Sequence, residues 1–280
     1  MGVVFGLVAA VFWGTADFLA RLAAERVGSV RTIFYMQCLG TLFMGCVVLV
    51  PAAQPSWPSA QVLLLAIVLG LMNVTGGSLL YRALEIGTVS LVSPVSSTFS
   101  AVTAMLAIVV AGERPPMLTL FGLVLCVLGV IAASVPPKSA TTISRRGIGL
   151  AALAALSWGI SFFALRYVVR DLGPYFPVWV SRATSAIALG LLALARRQKL
   201  PAPKGAWLFI AGIAVFDSAA FAFYNLGISA ALTSVVAVIA SLYAAWTVLL
   251  AFFILRERLG AIQWAAVAVI FLGIGLVSGG

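Results

Sequence analysis

Residues 1–135 of this 280-residue chain are repeated, weakly but in register, by residues 147–279, and each copy carries five apolar stretches long enough to cross a bilayer. Five crossings leave the chain on the far side of the membrane, so the second copy enters inverted. Two inverted halves around a common midplane are the usual build of a secondary transporter, with the solute site between them. The repeat thus predicts an all-α membrane protein of ten transmembrane helices, as two inverted five-helix repeats, residues 1–135 and 147–280, joined by a linker over 136–146.

A helix needs roughly 20 apolar residues to span the hydrocarbon core, which sets the spans at 2–24, 31–50, 61–83, 89–111, 117–135, 147–169, 175–195, 206–226, 233–255 and 261–278. Only 9% of the residues are charged, against about 25% in soluble domains. The longest connections, 136–146 and 196–205, are too short to hold a soluble domain. The first span has no basic residues before it, and its Phe12-Trp13-Gly14 recurs as Ser157-Trp158-Gly159, so it reads as a retained helix rather than a signal peptide. Cys38, Cys46 and Cys126 fall inside apolar spans without metal-ligand spacing and read as packing residues.

The register of the repeat is carried by residues that chance rarely supplies. At an offset of 145, Trp13 matches Trp158, Gly14 matches Gly159, Arg21 matches Arg166 and Gly28 matches Gly173. At an offset of 144, Ser90 matches Ser234, Ser97 matches Ser241, Thr103 matches Thr247, Glu113 matches Glu257 and Gly129 matches Gly273. Loop charge supports the inversion, because 51–60 holds no Lys or Arg whereas its counterpart 196–205 holds four. Loops after odd-numbered spans hold thirteen basic residues, against three (Arg114, Arg166 and Arg170) on the side of the termini. The positive-inside rule then places both termini outside the cytoplasm. The net charge of +10 is accordingly a topology signal and does not point to nucleic acid.

An ionised carboxylate at bilayer depth costs roughly 2.5–3.5 kcal/mol on insertion scales, and Asp217 sits near the centre of span 8. Its repeat mate is Asn73, in span 3; Arg182, in span 7, has Gln37 as its mate in span 2. Arg182 and Asp217 lie on consecutive spans, so they either lock two helices together or bind solute. Asp17 follows Trp13 by four residues and shares its helical face; it either lines a cavity, or is solvated near the protein's mouth or hydrogen-bonded to a neighbour. Trp13 and Trp158 are symmetry mates beside small residues, where another helix or a solute can approach. Tyr81, Ser97, Tyr224 and Ser241 add hydrogen-bonding groups, and Pro94 predicts a kink in span 4. Glu113 and Glu257 end spans 4 and 9, where the helix dipole disfavours a carboxylate. Their expected partners are Arg114 and Arg258 and the first amides of spans 5 and 10, a hinge role outside the site.

The candidate solute-binding set is therefore Trp13, Asp17, Gln37, Asn73, Tyr81, Ser97, Trp158, Arg182, Asp217, Tyr224 and Ser241. Its charges complement a zwitterion such as an amino acid, and its rings suit an apolar body. The chain holds no histidine, which excludes a Ser-His-Asp triad and the common zinc sites. It holds no Walker-type loop for ATP. No cofactor, metal or nucleic-acid partner is expected. A carboxylate-based membrane enzyme is the different-class alternative to a carrier.

The block from Gly87-Thr88-Val89-Ser90 and Pro94 to Gly112-Glu113-Arg114, followed by Gly122 and Gly129, resembles the signature of the EamA family in the drug/metabolite transporter superfamily. Its second copy runs from Thr233-Ser234 through Glu257-Arg258 to Gly273. The resemblance covers essentially the whole chain. It implies a ten-helix carrier of the bacterial inner membrane, with helices 1–4 and 6–9 around a central cavity and helices 5 and 10 peripheral. It also implies export of a small polar or amphipathic metabolite, an amino acid foremost, with multidrug or other metabolite efflux as the alternative. Several members keep their termini in the cytoplasm, opposite to the orientation the loop charges give here. A monomer and a homodimer are both compatible with the sequence.

Overall fold

The computed structural model describes residues 1–50, 58–86, 95–133, 145–255 and 261–279. The first half contains α1 (Gly2–Val27), α2 (Ser29–Val48), α3 (Ala60–Ile86), α4 (Phe99–Val109) and α5 (Met117–Ala133). The second contains α6 (Arg145–Leu172), α7 (Phe176–Ala195), α8 (Trp207–Ala230), α9 (Thr233–Ala240), α10 (Tyr243–Leu255) and α11 (Ala261–Gly279). No strand occurs among the described residues. Six helices, α1–α3 and α6–α8, are each long and apolar enough to cross a membrane. Most of linker 136–146 lies outside the described residues.

The packing follows the repeat. Helix α1 lies chiefly against α8, and α6 against α3, so each half's first helix packs on the other half's third span. In the same way α1 contacts α9 and α10 while α6 contacts α4, and α2 meets α7 across the centre. Peripheral α5 and α11 pack on each other, showing Phe121, Val124, Phe271 and Leu272 outward. In a bilayer such outward apolar side chains meet lipid, so tight interhelical contact must come from small residues. Gly122 and Gly273 supply it here: a Cβ on Gly122 would stand 2.7 Å from the Gly273 carbonyl.

The two halves repeat local detail as well as topology. Gly28 ends α1 at φ 82° and Gly173 ends α6 at φ 70°, a left-handed backbone that glycine adopts without a Cβ clash. Gly14 lies so close to α10 that a Cβ there would be 2.5 Å from the Tyr243 carbonyl; on Gly159 it would be 3.0 Å from the Phe99 carbonyl. Thr247 donates to the Gly14 carbonyl at 3.1 Å, and Thr103 to that of Gly159 at 3.0 Å.

Spans 4 and 9 are interrupted. Span 9 breaks at Ser241 and Leu242, and the described part of span 4 breaks at Thr98, whose repeat mate is Leu242. The kink expected from Pro94 concerns a residue outside those described. The break at Ser241 and Leu242 has no proline, and at both breaks a hydroxyl bonds a carbonyl three residues back. Thr98 Oγ1 donates to the Val95 carbonyl at 2.7 Å and Ser241 Oγ to the Val238 carbonyl at 2.7 Å. Each hydroxyl satisfies an acceptor within the tightened turn.

Candidate functional site

A cavity of about 180 Å³ lies between the halves. Helix α1 contributes Trp13, Ala16, Asp17 and Ala20, α2 contributes Gln37, and α3 contributes Asn73, Val74, Gly77 and Ser78. From the other side come Trp158 and Phe162 of α6, Arg182 of α7, Asp217 and Phe221 of α8, and Tyr243 at the start of α10; Phe99 of α4 completes the wall. The lining positions run from the middles of α1 and α3 toward their C-terminal ends, and lie near the N-terminal end of α2. The cavity therefore occupies the half of the bundle toward the α1–α2 and α7–α8 connections, which carry Arg26, Arg31, Arg196, Arg197, Lys199 and Lys204.

At its inner end Arg182 forms an ion pair with Asp217 and donates from Nη1 to Gln37 Oε1 at 3.1 Å. The Arg182 side chain is 4% exposed and that of Asp217 20% exposed, so the pair is largely withdrawn from water. The guanidinium carbon also sits 5.6 Å from the centre of the Phe221 ring, a cation–π arrangement. Gln37 is the repeat mate of Arg182, so these two meet on the pseudo-two-fold axis. Phe99 and Tyr243, also mates, approach there with ring centres 6.3 Å apart.

Of the residues proposed from sequence, Trp13, Asp17, Gln37, Asn73, Trp158, Arg182 and Asp217 line this one cavity. Trp158 Nε1 donates to the Asn73 backbone carbonyl at 3.0 Å, which fixes its indole against α3. Trp13 packs at 5.4 Å from Phe162 and 5.7 Å from Phe221. Ser97, Tyr224 and Ser241 are buried and do not line the cavity. Tyr224 directs its hydroxyl to the Phe162 carbonyl at 3.4 Å, on the closed side, and Ser241 is occupied at the helix break. The Tyr81 side chain lies outside the described residues. Phe99, Phe162 and Phe221 were not proposed from sequence. One of them was reachable through the repeat: Phe162 is the mate of Asp17.

The opposite end is shut. Every residue of α9 is buried, and Asn225 donates to the Pro174 carbonyl at 2.8 Å. Glu113, 7% exposed, reaches from the α4–α5 junction into the second half. Its Oε1 accepts from the Thr233 amide at 2.8 Å and pairs with Arg166 at 2.8 Å. Its Oε2 accepts from the Ser234 amide at 3.0 Å and the Ser234 hydroxyl at 2.7 Å. Glu113 thus caps the N-terminus of α9, where the helix dipole favours an anion. Burial alone would raise its pKa, but the Ser234 and Thr233 hydrogen bonds and Arg166 outweigh that and hold it below its ordinary 4.5. The partners differ from those expected. The carboxylate goes to the amides of Thr233 and Ser234 and to Arg166 instead of Arg114 or the first amides of α5. Glu257 and Arg258 lie outside the described residues.

Comparison with known proteins agrees with this architecture. The profile of the EamA-like transporter family matches the chain twice, over residues 1–135 and 145–279. A crystal structure of a protein superposes with a TM-score of 0.80 at 18% identity, over 99% of this chain and 96% of the other, and shows the same fold. An uncharacterized protein of Methanocaldococcus jannaschii is 29% identical over 133 residues, 48% of this chain and 96% of the relative. That relative is about one repeat long.

Proposed function

The chain belongs to the EamA-like transporter family, a family of small-solute carriers in the drug/metabolite transporter superfamily, and from that premise we propose that it exports a small amphipathic metabolite by alternating access. Amine-bearing solutes are the leading class. The observation that carries this reading is the cavity lined jointly by both inverted halves and shut at one end. Solute enters from the α1–α2 side, rests beside Asp17 among the aromatic rings, and leaves when the two halves rock and the Glu113 contacts open. Because the loops after odd-numbered spans carry thirteen basic residues, the open side faces the cytoplasm of a bacterial cell and both termini face outward. The solute gradient, alone or exchanged against another solute or proton, supplies the driving force.

Orientation is tested by C-terminal fusions: alkaline phosphatase is expected to be active and green fluorescent protein dark. The reverse pattern would put the cavity mouth outside and remove the export direction. The carrier reading is tested with purified protein in liposomes against a panel of labelled metabolites. Uptake down a gradient without ATP, with the solute recovered unaltered, is the expected result. Strict ATP dependence or a chemically converted product would defeat it.

A further inference from the structure

Among the described residues, the charged side chains lining the cavity are Asp17, Arg182 and Asp217. Arg182 and Asp217 neutralise one another, and Arg182 Nη1 donates to Gln37, while its buried Nε has no hydrogen-bond partner among the described residues. Asp17 is different: it is exposed to the cavity and makes no hydrogen bond or ion pair among the described residues. The cavity therefore carries one uncompensated negative charge whenever Asp17 is ionised. A carboxylate so placed in a low-dielectric interior gains most from a cation brought to it.

The wall beside Asp17 suits the same ligand. Trp13, Phe99, Phe162, Phe221 and Tyr243 ring the site, and the negative face of an aromatic ring attracts cations. Phe221 already receives a guanidinium, that of Arg182. A solute carboxylate finds no such welcome. The one cation among the described lining residues, Arg182, is already paired with Asp217, and the unpaired Asp17 repels an anion. We propose that the cavity selects a monovalent organic cation with a compact apolar body, its ammonium held by Asp17 and its body by the aromatic wall, in preference to zwitterions and anions. The assignment rests on the carrier reading only in taking this cavity as the solute site.

Phenethylamine, phenylalanine and phenylacetate share a ring and differ in charge, so calorimetric titration of the full-length protein in detergent separates the classes directly. Phenethylamine is expected to bind about tenfold or more tightly than phenylalanine, the scale of one charge-assisted contact, with phenylacetate weakest. Asp17→Asn should weaken phenethylamine by about the same factor and collapse the order, while Asp17→Glu preserves it. Phenylalanine or phenylacetate binding as tightly as phenethylamine, or an Asp17→Asn variant with unchanged amine affinity, would overturn the assignment. So would the binding of none of the three to wild-type protein. The ligand order needs no variant, so misfolding of Asp17→Asn leaves the proposal open to refutation. Liposome flux of an uncharged or zwitterionic metabolite alongside a wrong ligand order would sink the cation assignment and keep the carrier; absence of flux for every solute with the order upheld would do the opposite.

Discussion

At equivalent positions the first repeat carries Gln37 and Asn73 where the second carries Arg182 and Asp217, and Asp17 in the first is matched by Phe162 in the second. Yet the frame around them is held by the same devices twice: Gly14 and Gly159 against carbonyls, Thr247 and Thr103 donating to those glycines, Gly28 and Gly173 turning the chain. The halves therefore share backbone geometry and divide the charges. Sequence matches persist where helices touch most closely, and in the cavity they lapse at the charged positions while Trp13 and Trp158 stay matched.

Neutralising one member of the charged pair should produce the largest effect. Arg182→Gln or Asp217→Asn alone strands a largely buried charge, and each is expected to cost about 3–5 kcal/mol in thermal unfolding in detergent. The double variant copies the neutral arrangement of the first half and should recover most of that loss. A double variant as unstable as the singles would show that the second half needs charge where the first does not. Full flux and selectivity in a stable double variant would make the pair scaffolding alone.

Next in size is Glu113→Gln, which keeps one acceptor oxygen but loses the charge facing Arg166 and the α9 amides; about 2–3 kcal/mol is expected. Because the Glu113 pKa is lowered on folding, its contribution is complete above the ordinary value of 4.5 and disappears as pH falls through the native value. Wild-type melting temperature should thus fall on acidification below about pH 4.5 more steeply than that of Glu113→Gln. Parallel curves would mean that Glu113 does not hold the shut end.

Smaller effects probe the shared frame. Gly14→Ala and Gly159→Ala should each cost about 1–3 kcal/mol by overpacking, and by similar amounts in the two halves. Thr103→Val and Thr247→Val, which lose one interhelical hydrogen bond each, should cost about 0.5–1 kcal/mol. A marked inequality within either set, read from the same melting curves, would show that matching geometry does not bring matching energy.

The ten-helix fold and its repeat were legible because a bilayer enforces length and apolarity directly. The breaks at Thr98 and at Ser241 and Leu242 were not, since apolar character runs through them and hydropathy does not register which carbonyl lacks a donor. In the site, Asp17, Arg182 and Asp217 announced themselves by their cost. Phe99, Phe162 and Phe221 gave no such signal, because phenylalanine is at home anywhere in a lipid-spanning helix. Ser97, Tyr224 and Ser241 gave a misleading one, because a hydroxyl in a helix can be satisfied by its own backbone or a neighbour's. For Glu113, nothing local in the sequence points to Arg166 or to the amides of Thr233 and Ser234, which are far away along the chain.

The contact between Arg182 and Gln37 has a bearing on ancestry. On the axis of a dimer made from two identical chains, a residue meets its own copy: an arginine there would meet an arginine, and a glutamine a glutamine. Only the neutral choice is tolerable when both must be the same. Joining the copies into one gene lifts that requirement, so one position can acquire a cation while its twin supplies the acceptor. The asymmetric charge at the heart of this protein is thus open to a fused chain and closed to an unfused one, and the fusion enlarges the range of solutes such a cavity can be built to distinguish.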